Sequence, residues 1–125
     1  MKRFAVALSL LGAFTLPVHA EVHQTQDYKL EVETLVDGLD APWSLAFLPD
    51  GRMLVGERPG RLSVVSADGG KPVVIDGLEG VSAGGQGGLH GIALAPDFES
   101  SGTVFYCHAA SYGGGRGTAV SKAQL

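Results

Sequence analysis

The chain has 125 residues, a formal net charge of −4, one cysteine and 19 glycines. An acidic chain without a basic run argues against nucleic acid as a partner, because phosphate binding needs clustered Lys and Arg. The lone Cys107 can form no internal disulfide, and within its strand-like run it reads as a small buried hydrophobe.

Met1-Lys2-Arg3 is a short basic start, Phe4 to Leu16 is apolar, and Pro17-Val18-His19-Ala20 offers small residues where a signal peptidase cuts. The apolar run is too short to span a bilayer comfortably. Residues 1–20 are therefore predicted to be a signal peptide cleaved near Ala20. Residues 21–125 would then be exported, to the periplasm or beyond, with no membrane span after cleavage.

Glu21 to Gln26 is polar and reads as a frayed mature terminus. Tyr28 to Val36 alternates polar and apolar residues, the pattern of a half-exposed strand. After the turn residues of Asp37 to Pro42, Trp43 to Phe47 is apolar on both faces apart from Ser44, which predicts an inner strand packed on two sides. Pro49-Asp50-Gly51, Arg58-Pro59-Gly60 and Ala67-Asp68-Gly69-Gly70 are turns. They separate the predicted strands Arg52–Glu57, Arg61–Ser66 and Lys71–Ile75. Pro72 suits an outer edge. Asp76 to Gly88 is a long glycine-rich connection. Leu89 to Leu94 and Thr103 to His108 are strands, Ala109 to Arg116 is a loop, and Gly117 to Leu125 is a further strand. No apolar stripe with helical period appears, so almost no helix is predicted beyond the signal peptide.

Pro49-Asp50 after Leu45-Ala46 returns as Pro96-Asp97 after Ile92-Ala93, at a spacing of about 47 residues. A period near 45 residues with several short strands marks an all-β fold of β-propeller blades. The chain supplies about two blades. A closed ring needs roughly 160 residues at the least, and six blades about 270. The chain is therefore expected to be the N-terminal part of a longer propeller; the alternative is several copies closing a ring.

If strands run from channel to rim, the connection from Asp76 to Gly88 and the hairpin loops Glu57–Arg61 and His108–Arg116 emerge at one end. Gln86 is the last polar side chain before the second inner strand, and glycines flank it. It reads either as a ligand-facing amide or as a loop residue on a flexible turn. Arg58 and Arg61 read as steering an anionic ligand or as a solvated turn with an ion pair to Glu57. His90 and His108 have no partners in sequence. No metal-ligand spacing, Ser-His-Asp set or phosphate loop is present, and Gly113-Gly114-Gly115-Arg116-Gly117 lacks a strand-to-helix context.

Three stretches together resemble one family: Pro42-Trp43-Ser44-Leu45-Ala46-Phe47-Leu48-Pro49-Asp50-Gly51, Gly85-Gln86-Gly87-Gly88-Leu89 with the following Ala93-Leu94-Ala95-Pro96-Asp97-Phe98, and Gly117-Thr118-Ala119-Val120. The family is the soluble PQQ-dependent aldose sugar dehydrogenases of the glucose/sorbosone dehydrogenase group. The resemblance implies a six-bladed propeller holding pyrroloquinoline quinone (PQQ) with calcium beside it. It further implies an aldose substrate oxidised at its anomeric hydroxyl to a lactone, and an electron acceptor of unknown identity. By the same resemblance Gln86 hydrogen-bonds the quinone. The family's catalytic base lies in an Asn-His-x-Gly-Gly-Arg-type stretch that is absent here. Neither His90 nor His108 inherits that role, so no catalytic residue and no metal ligand are expected within residues 1–125, and this stretch alone is expected to be inactive. The alternatives are a metal-dependent sugar lactonase, for which only Asp40 offers an early carboxylate, and a non-enzymatic binding propeller.

Overall fold

The computed structural model describes residues 20–75 and 78–125. The predicted signal peptide falls, apart from Ala20, outside the described residues. The described chain forms nine strands and one short helix. Among the described residues, those up to Thr34 form one unit and those from Leu35 onward another.

In the first unit, β1 (Glu21–Gln24) pairs antiparallel with β2 (Lys29–Val32). The expected frayed terminus is thus a strand, and the expected strand from Tyr28 to Val36 is only its partner. Every residue of both strands is exposed, so no apolar face advertises the hairpin. What closes it is local polar chemistry: the Thr25 hydroxyl donates to the Tyr28 carbonyl at 2.8 Å and accepts from the Tyr28 N–H at 3.0 Å.

The second unit begins with one complete blade, β3 (Pro42–Phe47), β4 (Met53–Glu57), β5 (Arg61–Val65) and β6 (Val73–Ile75), antiparallel and in that order. Its turns are the ones expected. Gly51 and Gly60 take φ values of 87° and 108°, open only to glycine without strain, and donate to the carbonyls of Leu48 and Glu57. Pro72 precedes the edge strand β6, where its missing N–H costs no ladder bond.

Three strands of the next blade follow: β7 (Leu89–Leu94), β8 (Thr103–Tyr112) and β9 (Gly115–Gln124). Between β7 and β8 sits α1 (Phe98–Ser101), too short to leave a periodic stripe and closed by Gly102 at φ 62°. The expected loop from Ala109 to Arg116 is a correction. There β8 and β9 run on, joined by Gly113-Gly114 with φ values of 51° and 90°. Both signs are those of a type I′ hairpin turn, whose twist matches the flanking strands.

The core lies between the two blades. Leu54 and Leu62 from the first meet Leu89, Val104 and Tyr106 from the second, with Val81 and Phe98 against them. Each such side chain contributes about 1.5–3 kcal/mol on burial. A smaller cluster, Met53, Val55 and Val65, is covered by Val36 and Leu39.

The inner strand departs from expectation. Leu45 and Phe47 are 50% and 70% exposed, so β3 is packed on one face and not two. The strand buried on both faces is β4, because β3 and β5 flank it and apolar groups cover it above and below. Cys107, expected to be buried, is half-buried on β8.

Candidate functional site

The three connections expected at one end do meet there. The Leu89 N–H donates to the Arg58 carbonyl at 2.9 Å, tying the first hairpin loop to the start of the second blade. The Ala109 N–H donates to the Gly88 carbonyl and the Ser82 N–H to the Ala109 carbonyl, each at 2.8 Å. The Ser111 hydroxyl donates to that of Ser82 at 3.2 Å. Gly88 is indispensable to this seam: its φ is 147°, and a Cβ would stand 2.1 Å from the Arg58 carbonyl oxygen.

Gln86 is carried on this platform. Gly84 and Gly87 form an isolated antiparallel bridge, closed by the Gly87 N–H donating to the Gly84 carbonyl at 2.9 Å. Gly85 and Gln86 are therefore the two central residues of a tight turn. Gly85 has φ 56° while Gln86 keeps an ordinary negative φ, the sign pattern of a type II′ turn, which takes glycine first. Gln86 is exposed, and nothing lies within 4 Å of where a Gly85 Cβ would stand. The Arg58 Nη1 donates to the Gly85 carbonyl at 2.7 Å. On the other flank, the Arg116 guanidinium lies 3.5 Å from the Cβ position of Gly84. Sequence reasoning passed over Arg116 because a glycine run was weighed only as a nucleotide fingerprint; the signal it carried was a cation beside a hairpin turn.

The two arginines of the first loop separate. Arg61 takes the ion-pair reading: its Nε donates to Glu57 Oε1 at 2.9 Å and its Nη2 to Glu57 Oε2. The Ser63 hydroxyl also donates to Oε1, at 2.7 Å, and the Asp40 N–H donates to Oε2. These four donors reach a carboxylate with 0% exposure. The Arg61 hydrogen bond foremost, then Ser63 and the Asp40 N–H, outweigh the cost of burial and hold Glu57 at about 2, below its usual 4.5. A carboxylate so saturated is a structural anion and not a proton shuttle. It anchors the turn at Ala41, whose φ of 48° is the one positive value among described non-glycine residues. The Ala41 carbonyl in turn accepts from the Arg58 N–H at 3.0 Å.

His108 is 2% exposed. Its Nδ1 faces the Ala109 carbonyl at 3.1 Å and must carry the hydrogen there; its Nε2 lies 3.0 Å from the Ser121 hydroxyl, which can donate to it. His90 stacks edge-on against Trp43, ring centroids 5.9 Å apart. Among the described residues neither is hydrogen-bonded to a carboxylate. Among the described residues no group of three or more His, Cys, Asp or Glu side chains is placed to hold a metal ion, Asp40 included. No helix among them is long and apolar enough to cross a membrane.

Comparison with known proteins decides what this arrangement belongs to. The family described as Glucose / Sorbosone dehydrogenase matches residues 39–125, more than half of the chain. The chain belongs to the glucose/sorbosone dehydrogenase family. It is 42% identical over 98 residues to the aldose sugar dehydrogenase YliI of Escherichia coli K12, covering 77% of this chain and 26% of that one. A solved glucose dehydrogenase structure is 47% identical with a TM-score of 0.66, over 73% of this chain and 27% of that one. The PQQ-bound form of the aldose sugar dehydrogenase from Streptomyces coelicolor superposes with a TM-score of 0.66 at 31% identity, over 85% and 29%. The chain thus spans about a quarter of the length of the relatives it matches. Its two larger sheets are blades of the family's β-propeller, as the repeat predicted.

Proposed function

We propose that this chain forms part of an exported, PQQ-dependent aldose sugar dehydrogenase, with Gln86 as a direct contact to the quinone. The observation that carries the proposal is the exposed Gln86 amide, held on a glycine turn at the end where three loops converge. The likeness to a PQQ-bound aldose sugar dehydrogenase supports the same reading.

PQQ is a flat ring system edged with carboxylates and quinone carbonyls, and the residues here suit it. Gln86 offers an amide donor toward such oxygens, the glycines leave open space beside Gly85 for a planar group, and Arg116 brings positive charge to the same turn. The chemistry PQQ supplies when bound is two-electron acceptance, by which an aldose loses hydride from its anomeric carbon and a hydroxyl proton to give a lactone. The share of this chain is binding and orientation. Gln86 would hold the quinone, and the seam of Gly88, Arg58 and Ala109 holds Gln86 in place. The base that takes the hydroxyl proton is assigned to no described residue, since His108 is enclosed and His90 is engaged with Trp43. The calcium implied by the resemblance finds no cluster of three or more His, Cys, Asp or Glu side chains among the described residues.

The test is reconstitution of the purified full-length protein with PQQ and calcium, followed with an aldose and a redox dye. Dye reduction and lactone formation that both require PQQ are expected. Absence of quinone binding and of turnover with every aldose tried would defeat the proposal. N-terminal sequencing of the secreted protein is expected to begin at Glu21.

A further inference from the structure

We infer that Arg58 is a positioning residue that sets the orientation of Gln86; the inference rests on the PQQ reading above. Gln86 follows a peptide unit whose carbonyl is Gly85 O, the central peptide of its two-residue turn. Types I′ and II′ differ by a flip of that peptide, which reverses its carbonyl and the sign of φ at the second central residue, and a positive φ strains any side chain but glycine's. The Arg58 Nη1 donates to this very carbonyl at 2.7 Å. It therefore holds the flip that lets Gln86 keep a negative φ.

Arg58 grips the same segment a second time through its own backbone. Its carbonyl accepts from the Leu89 N–H at 2.9 Å, and the Gly88 backbone passes so close that no side chain fits there. One residue thus fastens the turn at its centre and at its exit. Its own footing is firm, because its N–H donates to the Ala41 carbonyl and the neighbouring Glu57 is locked by four donors. The residue is half-buried, and its guanidinium is spent on a backbone oxygen of the turn. That geometry distinguishes a clamp from a cation that meets the ligand, the role that Arg116 is free to take on the other flank.

The experiment is a double-mutant cycle in the full-length protein, read by quinone affinity in a fluorescence or absorbance titration. Arg58→Ala is expected to weaken PQQ binding about tenfold. Arg58→Lys, which keeps a donor of similar reach, is expected to recover most of it. Arg58→Ala combined with Gln86→Ala is expected to bind no worse than Gln86→Ala alone, because Arg58 acts through Gln86. Hydrogen exchange of the Gly87 amide in the quinone-free protein is expected to speed up in Arg58→Ala and not in Gln86→Ala. Additive losses in the cycle, or unchanged Gly87 exchange, would overturn the inference while leaving the PQQ reading intact. A wild-type protein that binds no quinone would overturn the PQQ reading and the role of Arg58 with it. If Arg58→Ala does not fold, Arg58→Gln, which keeps the bulk but loses the reach and charge of the guanidinium, carries the same cycle.

Discussion

Glu57 and His108 stand on the same rung of successive blades. Glu57 lies opposite Pro42 and His108 opposite Leu89, each the first residue of its inner strand, and each inner strand slips its register just beyond that rung. Both side chains are buried beneath the loop end of the molecule. Each also meets a serine from the third strand of its own blade: Ser63 opposite Val55, and Ser121 opposite Tyr106. The blades therefore repeat a polar plug and its serine, but not its chemistry. In the first blade the plug is an anion needing Arg61 and the Asp40 N–H; in the second an imidazole is satisfied by one hydroxyl and one carbonyl. What is repeated is the place for a buried polar group, and its cost is met by whatever hydrogen-bond partners the surrounding strands and loops supply.

The largest effect should come from removing the charged plug. Glu57→Ala leaves Arg61, Ser63 and the Asp40 N–H without their shared acceptor, and should cost about 2–4 kcal/mol in urea unfolding. His108→Leu, which strands no charge, should cost about 1–2 kcal/mol by the same measurement. Equal losses would break the comparison.

Acid should expose the same difference. The Glu57 pKa is lower folded than unfolded, so its stabilisation is complete above about 4.5 and drains away as pH falls from 4.5 toward about 2. Wild-type stability should drop across that window, and Glu57→Gln should show a shallower drop. The two serines sharpen the contrast further. Ser63→Ala removes a hydrogen bond to an anion and should cost about 1.5–2 kcal/mol, against about 0.5–1 for Ser121→Ala. The smallest effect concerns the inner strand. Ser44 Oγ is buried without a partner among the described residues, so Ser44→Ala should be neutral or stabilise by a few tenths of a kcal/mol, seen as an unchanged or raised Tm.

The first blade was legible because its turns are written in residues that allow little else, such as Gly51, Gly60 and Gly69 after Asp or Pro. The repeat was legible too, up to Pro96-Asp97. Beyond it the spacing grows, because α1 is inserted before Gly102, which does in the second blade what Gly51 does in the first. A single turn of helix has no period to read. The extension of β8 through Ala109-Ala110-Ser111 was hidden because small residues have weak strand preference, and the pairing with β9 supplies what they lack. Gln86 was visible as a candidate but its support was not. The clamp from Arg58 crosses 27 residues of sequence, and a guanidinium bonded to a backbone carbonyl leaves no mark in spacing. The exposure of Leu45 and Phe47 likewise depends on what covers the first blade, which no local pattern encodes.

The most direct test of the account is a calorimetric titration of PQQ into the full-length protein and into its Gln86→Ala variant, both checked for equal thermal stability. Binding by the wild type, weakened about tenfold or more in the variant, is the predicted result. Equal affinity in the two proteins would contradict the assignment of Gln86 to the quinone.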